Sequence, residues 1–129
     1  MKINITAGDC LNNILKTINK EEKFIPFREA MIKGKYTSKL FSNEFINERA
    51  LVHNTTIEDY TEKIQVFLDF LKDIEMYNEV ILWFGNDDFC KENIKIVLKT
   101  LNEYKYKNRL ILNIVVEETG KILDSEIIQ

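Results

Sequence analysis

The chain has 129 residues, of which 45% are hydrophobic and 30% are charged, and its formal net charge at pH 7 is -3. This composition excludes a disordered chain, and no apolar run reaches the roughly 18 to 20 residues that a membrane-spanning helix needs. Lysine and glutamate are interspersed without a basic stripe, so general nucleic-acid binding is disfavoured. We predict one cytoplasmic domain over residues 1–129, because the length suits one core and no signal or transit pattern is visible.

The first half of the chain predicts a strand, a helix, an edge strand and an insertion. Residues 2–7 (KINITA) alternate in the manner of a strand, and residues 11–18 then place apolar side chains at helical spacing. Residues 23–27 predict a short second strand, and Pro26 within it has no N–H to donate, which favours the edge of a sheet. Residues 36–56 follow a mixed pattern and are predicted as a helical insertion.

The second half predicts two amphipathic helices and two apolar strands. Thr55 and Glu58 have the spacing of a capping box, which predicts the start of a helix that runs to about residue 75. Residues 79–84 (EVILWF) are nearly all apolar, as in a strand buried at the centre of a sheet. Another amphipathic helix and a fourth apolar strand, residues 109–116, follow.

Alternating strands and helices predict a three-layer open parallel sheet of the Rossmann-like or flavodoxin-like type, with helices on both faces. We predict a strand order of about 2-1-3-4, and residues 121–123 are expected to add a short antiparallel strand. The order reverses between strands one and three. Open α/β sheets bind ligands beyond the carboxyl ends of their strands at such a switch point, so the topology predicts a site there.

Polar residues follow three of the predicted strands at this edge. Arginine is rare among the 18 basic residues, occurring only as Arg28, Arg49 and Arg109, and its guanidinium group suits bidentate binding of carboxylates and phosphates. Carboxylates beside such a group could orient a hydroxyl, share a proton or bind a divalent ion. We predict catalytic roles for Asp9, Glu29 and Asp87, and binding of an anionic ligand by Gly8, Arg28, Arg49, Gly85 and Asn86.

Each of these residues also has a structural interpretation. Asp9 and Asp87 precede helices, where carboxylates commonly cap the first turn. Arg28 and Glu29 are adjacent and could form an ion pair with each other or ion pairs at the surface. Arg49 is interpreted either as a mobile clamp over the crevice or as a charge on a solvated helix face.

Cysteine, histidine and glycine patterns predict little specific chemistry. Cys10 and Cys90 lie in the first turns of helices, a setting typical of reactive thiols, although small buried cysteines there are common. His53 is the only histidine, so any catalytic set with an imidazole must use it. No CxxC or Cys/His spacing predicts a metal site, and no GxGxxG or P-loop motif predicts binding of NAD or of a nucleotide. The cofactor stays open, with a divalent ion as one candidate.

The order of several short motifs resembles a bacterial family known as domain of unknown function 1835. The motifs are Gly8-Asp9-Cys10, Arg28-Glu29 with Gly34, Arg49, and the run from Val80 to Cys90. The resemblance implies a Rossmann-like fold and a polar site that contains Asp9, Arg28, Glu29 and Asp87, and it implies no reaction. The mainly helical carboxyl-terminal portion common in that family has no counterpart among these 129 residues.

We therefore expect a domain that binds an anionic small molecule or nucleotide-related ligand, with hydrolase or transferase activity as an extension. The alternative is a non-catalytic interaction or regulatory module in which residues 36–56 contact a partner or a second copy of the chain. An exposed apolar patch of Tyr36, Phe41 and Phe45 would favour that alternative.

Overall fold

The computed structural model describes all 129 residues and contains five strands and four α-helices. In chain order the elements are β1 (Lys2–Thr6), α1 (Asp9–Ile18), β2 (Phe24–Pro26), α2 (Asn43–Val52), α3 (Ile57–Lys72), a 3₁₀ turn (Ile74–Met76), β3 (Glu79–Phe84), α4 (Asp88–Glu103), β4 (Arg109–Val115) and β5 (Ile122–Ile127). The sheet order is β2-β1-β3-β4-β5. The first four strands in that order are parallel and β5 is antiparallel to β4, so the predicted fold class and strand order are confirmed.

The two faces of the sheet are covered unequally. Side chains alternate between faces along a strand, and Ile3 and Ile5 of β1 point into a large core of 27 buried residues to which α2, α3 and α4 contribute. The opposite face has a core of only four buried residues, contributed by α1, β2 and β4. Asn4 and Thr6 of β1 face this smaller side, where the Asn4 side chain accepts a hydrogen bond from the Trp83 indole.

The strand positions follow from local sequence as predicted. β3 is the central strand, and alternate residues Val80, Leu82 and Phe84 are completely buried. β2 lies at the edge of the sheet, as the presence of Pro26 within it predicted. β5 is longer than the predicted residues 121–123 and is exposed along its whole length.

The insertion packs into the core rather than forming a separate surface patch. Phe41 and Phe45 are buried, and the Phe41 ring lies 5.0 Å from the Phe67 ring of α3. Gly34, at φ 65°, lies against Val52 at the end of α2, where a Cβ on Gly34 would come within 2.6 Å of the valine Cγ1. The exposed patch of Tyr36, Phe41 and Phe45 is therefore not observed, because two of its members fill the core and Tyr36 is half-buried.

The start of α3 differs from the prediction by one residue. Thr56, not Thr55, is the N-cap, and its hydroxyl accepts a hydrogen bond from the Asp59 N–H. The predicted capping box of Thr55 and Glu58 is therefore wrong. The two adjacent threonines have a similar propensity for the N-cap position, and the path of the preceding chain decides which of them caps the helix. None of the helices has the length and apolar character that crossing a membrane would require.

Candidate functional site

Two adjacent residues after β2, Arg28 and Glu29, point in opposite directions. The chain leaves β2 in an extended conformation, where consecutive side chains alternate in direction. Phe27 before them is buried, and its N–H donates to the Thr6 carbonyl of β1. Arg28 consequently faces outward towards α1, whereas Glu29 faces the interior between α2 and α3.

The outward side chain forms an ion pair with Asp9 at the start of α1. Arg28 Nε lies 3.0 Å and Nη2 lies 2.9 Å from Asp9 Oδ1. The pair is exposed, with 37% of the Arg28 side chain and 59% of the Asp9 side chain accessible to solvent. Asp9 makes no capping hydrogen bond, so its interpretation as a helix cap is wrong. Arg28 does form a surface ion pair, but with Asp9 and not with Glu29, whose partner is Arg49.

A shallow pocket of about 190 Å³ lies beside this ion pair, at the carboxyl ends of β1 and β2. Its polar lining comes from Gly8, Asp9, Arg28, Glu29 and Lys63. The pocket is smaller than the roughly 300 to 1,000 Å³ of most small-molecule sites, so its volume suits a single phosphate or carboxylate group. No side chain caps the N-terminus of α1, and the space beside Gly8 is open, since a Cβ there would meet nothing within 4 Å.

The inward side chain, Glu29, is the centre of a buried polar cluster. Its carboxylate accepts hydrogen bonds from Arg49 Nε and Nη2, both at 3.0 Å, and from the Tyr60 hydroxyl and the Ala30 N–H. His53 contacts the same carboxylate through Nε2. The Arg49 side chain is 0% exposed, so its prediction as a mobile clamp or a solvated charge is wrong: α2 packs this side chain against Glu29.

The electrostatics of this Glu29 cluster favour a charged pair and a neutral tyrosine. Burial raises the pKa of Glu29, but hydrogen bonds from Arg49 and Tyr60 and the guanidinium charge outweigh burial and lower it overall. Burial lowers the pKa of Arg49, and the hydrogen bonds and charge of Glu29 outweigh that effect. Burial and the Glu29 charge raise the pKa of Tyr60, so its hydroxyl stays a donor. Both carboxylate oxygens of Glu29 therefore accept hydrogen bonds from groups within the protein.

The third group of predicted residues lies at the end of β3. Asp87 is the N-cap of α4, and its Oδ1 accepts a hydrogen bond from the Cys90 N–H at 2.8 Å. Gly85 is buried, and Asn86 is exposed. None of these three residues lines the pocket beside Arg28. Of the predicted site residues, the structure brings Gly8, Asp9, Arg28 and the buried Glu29 together at this pocket. The predicted residues that lie outside it are Arg49, Gly85, Asn86 and Asp87.

The two cysteines are in different environments. Cys10 is exposed, Cys90 is buried, and both are free thiols. Burial raises the pKa of Cys90 to about 12, and the nearby charges of Glu117 and Asp87 act in the same direction. Of the two interpretations of Cys90, the small buried cysteine is therefore the one observed, because burial and two carboxylates outweigh the effect of the helix N-terminus on the thiol pKa.

Sequence reasoning missed several residues that shape this region. Asn93 of α4 is completely buried; its Nδ2 donates to the Glu29 carbonyl at 2.8 Å, and its Oδ1 accepts from the Met31 N–H at 2.9 Å. It therefore anchors the segment that carries Arg28. The helical spacing could have indicated that Asn93 is buried, since it occupies the same helical face as the buried Cys90 and Val97. Tyr60 likewise lies on the apolar face of α3, whereas Lys63 and Glu117 give no comparable local signal.

Comparison of the chain with protein-family models, with curated proteins and with solved structures finds no match. The resemblance to domain of unknown function 1835 stays a prediction, and the function must be argued from the geometry of the site.

Proposed function

We propose that this protein binds a small anionic group, such as the phosphate or carboxylate of a metabolite, in the pocket between Gly8 and Arg28. The observation that carries the proposal is an uncapped helix N-terminus facing an exposed guanidinium group across a pocket of about 190 Å³. The pocket lies at the carboxyl ends of β1 and β2, on the same edge of the sheet as the switch point between β1 and β3, and open α/β sheets usually bind ligands at that edge. The predicted cytoplasmic location is consistent with a soluble metabolite as ligand.

Three sources of positive potential support an anion at this position. The first N–H groups of a helix have no partners within the helix, and the helix dipole places a partial positive charge there. Arg28 presents a planar donor group, and Lys63 lines the same pocket. Gly8 adds no side chain to the approach, so a phosphate oxygen has access to the backbone.

The carboxylate of Asp9 is expected to weaken the binding of an anion in this pocket. Its carboxylate already occupies the Nε and Nη2 donors of Arg28. An incoming anion must therefore displace Asp9 or share the guanidinium group with it, and it experiences repulsion from the same carboxylate. We expect modest affinity in the unmodified protein and tighter binding when Asp9 loses its charge.

The geometry supports binding and does not extend to the predicted hydrolase or transferase reaction. A general acid or base must be within hydrogen-bond reach of the reacting group. Glu29 is buried and hydrogen-bonded to Arg49 and Tyr60, and Asp87 caps α4 outside the pocket. Asp9 is the one predicted catalytic carboxylate that faces the bound group in this proposal.

Calorimetric titration with inorganic phosphate, pyrophosphate, nucleoside monophosphates and citrate tests the proposal. We expect Arg28→Met to weaken binding of the tightest of these anions at least tenfold, a loss of about 1.4 kcal/mol. Arg109→Met is the control, because the exposed Arg109 also forms an ion pair, with the half-buried Glu79 at the opposite end of the sheet, 3.0 Å between Nε and Oε2. Equal effects of the two substitutions, or no binding of any of these anions, would contradict the proposal.

A second candidate is the interaction module, which one observation favours. An open groove of about 480 Å³ runs between α2 and α3, and its apolar lining includes Ile46, Ile57, Leu68 and Leu71. Grooves of this kind accept an apolar side chain or a helix from a partner. Sedimentation analysis over a range of protein concentrations, with Leu68→Lys as the variant, tests for self-association through this groove; a monomer at all concentrations would remove the second copy as the partner.

A further inference from the structure

We propose that Asp87, Cys90 and Glu117 form a binding site for a zinc-type transition-metal ion at the carboxyl ends of β3 and β4. This site is separate from the proposed anion pocket and does not depend on it, since none of the three residues lines that pocket. Asp87 is the N-cap of α4 and Cys90 lies in its first turn, whereas Glu117 follows β4. A metal ion here would connect two segments, with 27 residues separating Cys90 from Glu117.

The donor atoms are already close to coordination geometry. One ligand atom from each of the three side chains lies within 4.8 Å of the other two. Cys90 Sγ and Glu117 Oε1 are 3.5 Å apart. Tetrahedral zinc with bonds of about 2.3 Å to sulfur and about 2.1 Å to oxygen separates those two ligands by about 3.6 Å.

The space for the Glu117 carboxylate depends on a glycine. A Cβ on Gly85 would lie 2.8 Å from Glu117 Oε2 and 2.9 Å from its Cδ. The absence of a side chain at residue 85 therefore lets the carboxylate reach across the end of β3 to Cys90. Gly85, which the sequence predicted as part of an anion-binding site, would thus instead make room for a metal-binding carboxylate.

No cationic side chain is paired with the cluster. Neither Asp87 nor Glu117 takes part in any salt bridge with lysine, arginine or histidine. Cys90 is 1% exposed, and its thiol donates to Glu117, a member of the same cluster. The two carboxylates beside this buried thiol create a negative potential that favours a cation between them.

The donor types select the class of ion. A thiolate with two carboxylates suits Zn²⁺, Co²⁺ or Cd²⁺, whereas Mg²⁺ and Ca²⁺ prefer oxygen ligands alone. Three protein ligands leave a fourth tetrahedral position, which water fills on the solvent side next to Asp87. Binding replaces the Cys90 S–H proton by the metal, the proton passes to solvent, and no atom changes oxidation state.

Titration of the purified, reduced protein with Co²⁺ tests this proposal directly, because a cobalt–thiolate bond produces a charge-transfer absorption that carboxylate ligands alone do not. We expect one equivalent of Co²⁺ to generate this band and Zn²⁺ to remove it by displacement. Glu117→Gln should weaken binding at least tenfold. Cys90→Ser should abolish the band, whereas Cys10→Ser, which changes the exposed thiol of α1, should retain it.

The wild-type measurement decides the proposal even if the Cys90 variant fails to fold. Absence of the band in wild-type protein would overturn the site, as would a band that Cys10→Ser abolishes. A band that persists unchanged in Glu117→Gln would place the ion elsewhere and would also overturn it. Circular dichroism of each variant without metal confirms that the fold is intact before the titrations are compared.

Discussion

Arg28 and Glu29 are neighbours in sequence but occupy contrasting environments, and their two ion pairs differ accordingly. The pair of Arg28 with Asp9 lies at the surface, with both side chains more than one third exposed. The pair of Glu29 with Arg49 has no exposed side-chain area and is completed by Tyr60 and His53. The direction of each side chain from the extended chain after β2 decides which environment it enters.

The contrast separates a binding role from a structural role. Surface ion pairs contribute about 0 to 1 kcal/mol to stability, so Arg28 and Asp9 are free to exchange partners with a ligand. Removing one member of a buried pair leaves an uncompensated charge and costs about 3 to 5 kcal/mol, so Glu29 and Arg49 must stay together. The Glu29 cluster also orders the segment that presents Arg28, since Arg49 Nη2 donates to the Ala30 carbonyl at 3.1 Å.

The largest effect is expected from breaking the buried pair. Arg49→Met should reduce the free energy of unfolding by about 3 to 5 kcal/mol, because the Glu29 carboxylate keeps its burial and loses its charged partner. Urea denaturation measures the change. The double variant Glu29→Gln/Arg49→Met should be more stable than Arg49→Met alone, since it removes the unpaired charge. A loss below about 1 kcal/mol for Arg49→Met would show that the pair is not needed.

A smaller effect is expected from removing one neutral donor to the same carboxylate. Tyr60→Phe should cost about 1.5 to 3 kcal/mol, because its hydroxyl donates to a buried charged group. Tyr106→Phe is the matched control, since the buried Tyr106 hydroxyl donates to a neutral acceptor, the Tyr77 carbonyl, at 2.9 Å. We expect its loss to be about 0.5 to 1.5 kcal/mol. Equal losses would indicate that the Glu29 charge does not strengthen the Tyr60 hydrogen bond.

The pH dependence of stability should report the same cluster. The pKa of Glu29 is lower in the folded protein than its ordinary value of 4.5, so its ionised form stabilises the fold above that pH and this contribution is lost as the pH falls below it. One proton contributes at most about 1.4 kcal/mol per pH unit. Denaturation between neutral and acidic pH should show a shallower dependence for Glu29→Gln than for wild type.

Glu48 also contributes to the pH dependence of stability at acidic pH, so both proteins in that comparison must contain it. Hydrogen bonds from Thr37 and Ser38 lower its pKa to about 2, so its contribution is also lost on acidification. Both proteins in the Glu29 experiment retain Glu48, and the difference between their pH dependences therefore isolates Glu29. Parallel curves for the two proteins would contradict a lowered pKa at Glu29.

The smallest effect on stability is expected at the surface pair. Asp9→Asn should change the free energy of unfolding by less than about 1 kcal/mol. The same substitution should tighten binding of phosphate or the preferred anion several-fold, because it removes a competitor for Arg28 and a repulsive charge. Calorimetry of wild type and Asp9→Asn under identical salt conditions measures both affinities. Weaker binding in the variant would assign Asp9 a favourable contact with the ligand instead.

Periodic patterns predicted the framework of the fold because they reflect local chain geometry. The alternation in residues 2–7, the apolar run 79–84 and the proline at residue 26 correctly predicted β1, the central β3 and the edge position of β2. The same reasoning placed Asp9 and Arg28 at one edge of the sheet, where they form an ion pair. Each of these conclusions depended on side-chain alternation or on a missing backbone donor, which residues near in sequence determine.

The amino-acid sequence by itself thus determined the α/β fold class, the order of the strands and the edge at which polar residues gather. Only the tertiary structure decided which distant side chains meet: Arg49 is buried against Glu29, and Glu117 reaches Cys90 across Gly85. Those partners are separated by as many as 27 residues along the chain. Their pairing depends on how helices pack on the sheet, and no local periodicity encodes that packing.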